Sequence, residues 1–335
     1  MPPFPPITPP RTTAKTLPPE LWLEIIPHIP PTPSNLLALR LTNTHLHALL
    51  RTHEHTLVKE ILTAHAHLSH ATRIFFPSLK VNTYKTLHTL QTRLALLATL
   101  ETHWPALTHP PNTAEALAWL TPRWTHLHST GLTLLYNLRD TAPTHSSKIR
   151  LLTSLPATSL ALLLYTCVAS VKILRVLGRA PMRARSRGQA VPTSARSRGL
   201  GDVEVRSQVE LAFEEMLLAH GAEFFGGMLD VGGKQARRFG GSGGEEVEAG
   251  AEWAVTTLTK EISTTTPRQY PHANGTPKPA TLISTLRRAL AEATGVHVSM
   301  VVSKTWEILS GTGFDEVDDV MVGKLVRGVG VGGGG

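Results

Sequence analysis

The chain has a single cysteine, Cys167, among its 335 residues. One thiol cannot build a disulfide framework, and it cannot supply a zinc cluster that needs several thiolates. Aromatic residues make up only 5 %, which is low for a large packed globule, although a hydrophobic share of 41 % suffices for a core. We therefore expect a protein of the cytoplasm or nucleus, in which Cys167 is a small core residue rather than a nucleophile.

Recognisable catalytic motifs are also absent from the sequence, and we expect no secretory signal. Residues 1–15 contain no apolar run and predict a disordered, proline-rich tail. No H-E-x-x-H zinc motif or G-x-S-x-G elbow is present, and Gly232-Gly233-Lys234 lacks the earlier glycine and the following Ser/Thr of a phosphate loop. We expect a chain that is not an enzyme and has no catalytic residue, metal site or cofactor.

Histidines are concentrated in one half, since fourteen of the 17 precede residue 150. Four pairs are spaced at i, i+2, which on a helix directs two side chains about 200° apart and prevents them from holding one ion. His67 and His70 could share a helix face, but no Cys/His set accompanies them. We interpret the histidines as solvated. The four pairs are His45/His47, His53/His55, His65/His67 and His126/His128.

The composition changes near residue 170, because Gly131 is the one glycine of 26 that precedes this position. Two explanations stay open: two domains of different history, or base skew in the coding strand with an imperfect gene model. Residues 178–201 are arginine-rich and predict a flexible basic linker, and residues 329–335 predict a glycine tail. The net charge of +8 is modest and spread out, so by itself it is no nucleic-acid footprint.

Apolar residues recur at helical spacing wherever a period is clear, and no pair of strands with a turn dipeptide stands out. The predicted fold class is all-α, with an irregular helical region over 53–177 and a second over 202–328. No fixed-period repeat appears, so leucine-rich and propeller architectures find no support. Helices are predicted at 57–68, 87–100, 124–138 with an interruption at Gly131, 160–177, from Asp202 onward, 246–262, 279–293 and 299–310.

The stretch from Leu151 to Val171 carries no charge and is long enough to span a bilayer. Six Ser/Thr residues and Pro156 interrupt it, which favours a buried core helix over a membrane span. We therefore expect no membrane association, with a membrane-tethered chain as the alternative.

The most specific stretch of the chain runs from Thr16 to Leu50. It opens with Leu17-Pro18-Pro19-Glu20-Leu21, in which the prolines suit a first helical turn because that turn needs no N–H. Leu21, Ile25 and Ile29 recur at four-residue spacing and predict an apolar stripe. Pro27 should end or kink this helix.

A second helix is predicted after the proline-rich turn, with Ser34 as its N-cap. Two helices of this length cannot bury both their apolar faces against each other. Part of the apolar surface is therefore available to a third element or to a partner. The recurring residues of the second helix are Leu36, Leu39, Thr42, Asn43, Leu46, Leu49 and Leu50.

This order of residues over 16–52 resembles the F-box, a helical trio that binds the small Skp-type adaptor of a cullin-RING ubiquitin ligase. Two departures stand out: Pro27 lies where many members continue a helix, and Arg51-Thr52-His53 stands where many carry a tryptophan. Carried over from the family, the adaptor-binding positions are Leu17, Pro18, Leu21, Ile25, Leu36, Leu39 and Leu41.

The resemblance implies a substrate-receptor subunit of a Skp–cullin–F-box ligase. Residues 17–50 would bind the Skp-type adaptor, and through it cullin, while the rest would hold an unidentified target protein. It also implies that Leu17→Asp combined with Leu39→Asp abolishes adaptor binding. The alternative is a basic helical nucleic-acid-associated protein that uses the arginine-rich linker, which predicts steep salt dependence of binding.

Overall fold

The computed structural model describes residues 17–42, 44–107, 116–183, 202–229, 244–265, 280–311 and 318–328. About 81 % of the interpretable residues are helical and none of them lies in a strand, so the predicted all-α fold class is confirmed. The predicted tails at 1–15 and 329–335 and residues 184–201 of the predicted linker lie outside the described residues.

The chain divides into two compact units, one of residues 1–73 with 79–92 and one of residues 74–78 with 93–335. These boundaries differ from the ranges that the sequence pattern indicates, which stay predictions. The helices with residues in the first unit are α1 (Pro19–Ile25), α2 (Pro33–Thr42), α3 (Thr44–Thr52), α4 (Glu54–Ala64), α5 (Ala66–Ile74) and the first part of α6 (Tyr84–Leu107).

The core of the first unit is built around a 3-10 turn, Ile26–His28, that packs on α4. Pro27 sits in this turn directly after α1, as its ring predicts. The helix predicted at 57–68 is two helices instead, because His65 leaves the helical region with φ −108° and ψ 84°. The buried apolar residues are Ile26, Leu46, Leu49, Leu50, Leu57, Val58, Ile61, Leu68, Ala71, Tyr84, Leu87 and Leu90.

The second unit contains the rest of the helices that the structure describes. They are the remainder of α6, then α7 (Pro122–Thr141), α8 (His145–Ser154), α9 (Ala157–Leu177), α10 (Asp202–His220), α11 (Ala222–Met228), α12 (Gly244–Thr265), α13 (Leu282–Thr294), α14 (Val301–Ser310) and α15 (Asp319–Val326).

Helix α9 is the centre of the second unit and packs against α7, α10, α13, α14 and α15. Three of its buried hydroxyl groups, on Ser159, Thr166 and Ser170, have hydrogen-bond partners, whereas Thr158 Oγ1 is buried without one among the described residues. Ser159 Oγ donates to the Leu325 carbonyl oxygen at 3.1 Å, and Thr166 Oγ1 donates one turn back along its own helix at 2.7 Å. Ser170 Oγ lies 2.9 Å from Nε2 of His128 on α7. These polar residues therefore direct the packing of an otherwise apolar helix.

The uncharged stretch Leu151–Val171 is not one continuous helix, because Pro156 separates α8 from α9. Within the described ranges, α9 alone is long and apolar enough to cross a membrane, and 72 % of its most apolar window is buried. The same length and burial are found in the central helix of a packed domain.

Gly131 does not interrupt α7, contrary to the prediction. A Cβ atom at this position would collide with the Thr166 side chain of α9, and the Thr166 Cβ would lie only 2.9 Å away. Glycine is therefore present to let two helices approach closely rather than to break one.

The first residues of the predicted flexible linker, 178–183, are ordered. Gly178 forms an isolated antiparallel bridge with Leu229, and the Arg179 N–H donates to the Met228 carbonyl at 2.9 Å. Met182 in the turn that follows is buried. These contacts connect residues 178–183 to the end of α11, and the flexible linker over 178–201 stays a prediction.

Candidate partner-binding surface

Helix α1 has no buried residue and presents an apolar stripe to solvent. Pro18 precedes it in an extended conformation (φ −56°, ψ 145°), and a proline occupies its first turn. The stripe consists of Leu17, Leu21 and Ile25, whose exposed fractions are 39 %, 41 % and 42 %. Four-residue spacing brings Leu21 and Ile25 onto one side of the helix, whereas Leu17 lies before the first helical residue, Pro19. Since α1 buries none of its own residues, its position is fixed by the 3-10 turn that follows it. That turn is buried against α4.

The proline-rich turn between α1 and α2 is fixed by side-chain hydrogen bonds. Thr32 Oγ1 accepts from the Asn35 N–H at 3.2 Å, and Asn35 Nδ2 donates to the Pro30 carbonyl at 2.9 Å. Gln91 Nε2 on α6 donates to the Pro31 carbonyl at 2.6 Å. Because α2 begins at Pro33, Thr32 caps it, and the prediction of Ser34 as the N-cap is wrong.

The leucines of α2 divide between two faces of the helix. Leu36 and Leu39 are half-buried, whereas Leu37 and Leu41 are 56 % and 75 % exposed. At 100° per residue, each pair shares one side of the helix, and the two sides are well separated. The second exposed stripe is therefore Leu37 with Leu41 rather than the face that includes Leu39.

Polar contacts hold α2 from its other side. The Arg40 guanidinium lies 5.1 Å from the ring centroid of Tyr84, and Glu54 Oε1 accepts from the Tyr84 N–H at 2.7 Å. Burial and the Glu54 carboxylate raise the pKa of Tyr84 to about 12, with Arg40 opposing the shift. The phenol therefore stays neutral at physiological pH, and the start of α6 is anchored to α4.

Of the seven positions that the resemblance implies, five are exposed and two are half-buried. The exposed ones are Leu17, Pro18, Leu21, Ile25 and Leu41. The half-buried ones are Leu36 and Leu39. Sequence reasoning missed Leu37, although its four-residue spacing to Leu41 was a usable signal. We name the exposed apolar set Leu17, Leu21, Ile25, Leu37 and Leu41 the leucine surface.

The described residues contain no group of three or more His, Cys, Asp or Glu side chains placed to hold a metal ion. The i, i+2 argument fails for His65 and His67, because the helix breaks at His65 and the two ring centroids lie 5.9 Å apart. His128 is buried rather than solvated, and burial lowers its pKa to about 3. Cys167 is buried as predicted, and burial, followed by the Glu214 carboxylate, raises its pKa.

Two arginines near the start of the predicted basic linker are engaged within the second unit. Arg175 forms a two-point ion pair with Glu210 at 2.6 and 2.8 Å, and Arg179 Nε donates to the Leu229 carbonyl at 3.3 Å. The arginines from Arg185 onward that the nucleic-acid alternative needs lie outside the described residues.

Comparison with known proteins adds no further constraint, since no family model, no curated protein sequence and no solved structure matches this chain. Any functional assignment therefore depends on the residues and geometry described above.

Proposed function

We propose that this chain is a substrate-receptor subunit of a Skp–cullin–F-box ubiquitin ligase, and that the leucine surface binds the Skp-type adaptor. The observation that carries the proposal is the exposure of this surface. Among the described residues, eleven large hydrophobic side chains are exposed, and five of them fall within residues 17–41. Exposed apolar side chains concentrated in one short part of the sequence are what a partner-binding pair of helices would offer.

The division of α2 into two faces also supports the proposal. Leu36 and Leu39 are partly covered within the unit, so that the helix keeps a fixed orientation while Leu37 and Leu41 face outward. The contacts of Arg40, Tyr84 and Glu54 restrain the same helix. A pre-ordered surface of this kind loses little conformational entropy on binding.

The chain would contribute position rather than bond chemistry. In the cytoplasm or nucleus, the adaptor would link it to cullin, and the second unit would hold a target protein near the charged ubiquitin-conjugating enzyme. Tethering raises the effective concentration of the target at the enzyme, which accelerates transfer without a catalytic residue in the receptor.

The test is a calorimetric titration of the full chain with a purified Skp-type adaptor. The variant Leu21→Asp/Leu41→Asp places two charges on the leucine surface at exposed positions, so the first unit should still fold. A leucine side chain contributes about 1.5–3 kcal/mol when buried, and each 1.4 kcal/mol is tenfold in Kd, so affinity should fall roughly 100-fold or more.

A matched control is Val320→Asp, which makes the same kind of change at a 59 % exposed residue of α15 in the second unit. It should leave the affinity unchanged. The sequence-based variant Leu17→Asp/Leu39→Asp is less informative, since Leu39 is half-buried and its replacement perturbs the fold. No binding by the unaltered chain refutes the proposal, and undiminished binding by Leu21→Asp/Leu41→Asp refutes the leucine surface as the contact.

A further inference from the structure

An ammonium group in the second unit lies over two indole rings. Nζ of Lys172, on α9, is 5.1 Å from the ring centroid of Trp119 and 5.2 Å from that of Trp306. Both distances fall inside the range of about 6 Å in which a cation is attracted by an aromatic face. Lys172, Trp119 and Trp306 are each half-buried, so the arrangement is open to solvent on part of its surface.

The ring of Trp306 is held in place by its aromatic neighbours. Trp306 on α14 packs edge-to-face against Trp124 at 4.8 Å and against Tyr165 at 5.4 Å between ring centroids. The Tyr165 hydroxyl donates to the Trp124 carbonyl at 2.8 Å, which fixes the ring of Tyr165 on α9. Trp119 lies in a turn that the buried Leu117 anchors. The indole face of Trp306 is therefore pre-ordered, and the backbone turn positions that of Trp119.

The spacing is wider than a bare ammonium needs. A methyl group on Nζ would lie one C–N bond, roughly 1.5 Å, closer to the ring that it faces. If it pointed at either indole, its carbon would lie roughly 3.6–3.7 Å from the ring centroid, inside the range of about 3.5–4.0 Å at which carbon atoms make their best contacts. The unmodified ammonium places no carbon atom in this range. A methylated cation with its nitrogen at this position would therefore contact each ring that a methyl group faces more closely than the ammonium does.

We propose that Trp119 and Trp306, supported by Trp124 and Tyr165, form a binding site for a trimethylammonium group, and that Lys172 is a tethered competitor that occupies the site in the free protein. The group could be carried by a lysine side chain of another protein or by free choline. We name these four aromatic residues the aromatic cage.

Lys172 can leave the cage because little else holds it. Within the described ranges, no carboxylate lies within ion-pair distance of its Nζ, in contrast to Lys304, which contacts Glu307 at 2.6 Å. Its half-exposed side chain can reorient into water at a small cost. A ligand whose methyl groups fill both gaps gains dispersion contacts that the lysine does not make.

The experiment titrates the full chain and its variants with tetramethylammonium, choline and Nε-trimethyl-lysine, and follows the probe methyl protons by NMR. Methyl groups over an indole face shift upfield because of its ring current. Lys172→Ala removes the competitor and should bind each probe at least tenfold more tightly than the unaltered chain. Adding Trp306→Leu or Trp119→Leu to this variant should abolish the shift. Lys304→Ala, a half-buried lysine on α14, is the matched control and should behave like the unaltered chain.

A neutral analogue in which carbon replaces the quaternary nitrogen of choline separates charge from shape. It should bind at least tenfold more weakly than choline. Similar shifts for choline and Nε-trimethyl-lysine assign recognition to the trimethylammonium group alone, whereas a preference for either one identifies the source of the ligand. The proposal is overturned if Lys172→Ala binds no cation or if the neutral analogue binds as well as choline. Since the probes are small ions and the cage lies in the second unit, the result is independent of adaptor binding.

Discussion

Asp140→Asn removes the negative charge that faces the Arg93 guanidinium in the second unit. The two side chains form paired hydrogen bonds of 2.6 and 2.8 Å, and only 3 % of the Arg93 side chain and 15 % of the Asp140 side chain are exposed. The remaining surroundings of the guanidinium include the ring of Tyr136, with its centroid at 4.5 Å, and that of Phe76 at 5.6 Å. After the substitution, a full positive charge stays buried among aromatic groups without its counter-charge.

Breaking a buried ion pair on one side costs about 3–5 kcal/mol, because the remaining charge can neither recover its hydration nor lose its proton. We expect the lower end of this range, since asparagine retains one acceptor oxygen and Asp140 has some contact with water. The assay is equilibrium unfolding in urea followed by far-ultraviolet circular dichroism. With a slope of about 2–3 kcal/mol per molar urea, the midpoint should fall by about 1–1.5 M.

Glu292→Gln supplies the control, because it makes the same chemical change in an exposed pair. Arg288 and Glu292 are 3.7 Å apart, with side chains 60 % and 70 % exposed, so the cost should be no more than about 0.5 kcal/mol. The double replacement Arg93→Met/Asp140→Leu should be more stable than Asp140→Asn alone, since no charge stays buried. The reasoning is refuted if Asp140→Asn destabilises the chain no more than Glu292→Gln does.

Three further predictions follow from the second unit. In the unfolded chain His128 becomes protonated below about pH 6.5, whereas in the folded chain it stays neutral down to about pH 3. The free energy of unfolding should therefore fall with decreasing pH by up to about 1.4 kcal/mol per pH unit. His128→Gln should reduce that slope, as measured by urea unfolding at about pH 7 and about pH 5.5. Gly131→Ala should lower the free energy of unfolding by about 1–3 kcal/mol in the same assay, because the new methyl group collides with Thr166. Adding Thr166→Ala should partly restore stability. An unchanged midpoint for Gly131→Ala would mean that α7 and α9 separate freely. Glu215→Gln should lower the free energy of unfolding by about 1–2 kcal/mol, because the Glu215 carboxylate accepts hydrogen bonds from the first two N–H groups of α13 at 2.9 and 3.0 Å. Hydrogen exchange at those two amides should accelerate.

The helices could be predicted from the sequence because their signals are local. The stripe of Leu21 and Ile25 needs only the helical period, and the end of α1 needs only the ring of Pro27. Four-residue spacing groups Leu37 with Leu41 on one side of α2, but the spacing does not say which side is covered. Leu36, Leu37, Leu39 and Leu41 are chemically alike, so only packing within the first unit decides that.

Two features of the second unit depend on residues far apart in the sequence, so they too are decided by packing and cannot be predicted from local pattern. Nothing near Gly131 in the sequence indicates that Thr166 packs on it, so the local pattern predicts a helix interruption there. The aromatic cage joins Trp119 and Trp306 from opposite ends of the second unit's sequence around Lys172. No period or motif relates these positions, and only the three-dimensional fold brings them together.

The central position of α9 has a consequence for biosynthesis. Some of the helices that cover α9 are synthesised before it and others after it. Helix α7 emerges from the ribosome earlier, but α13, α14 and α15 are completed only at Val326. At translation rates of about 5–20 residues per second, the most apolar helix of the second unit waits about 7–30 s for its last partners. During that interval its leucines are available to chaperones and to other nascent chains, so the yield of folded protein should depend on chaperone supply and translation speed more than on the final stability.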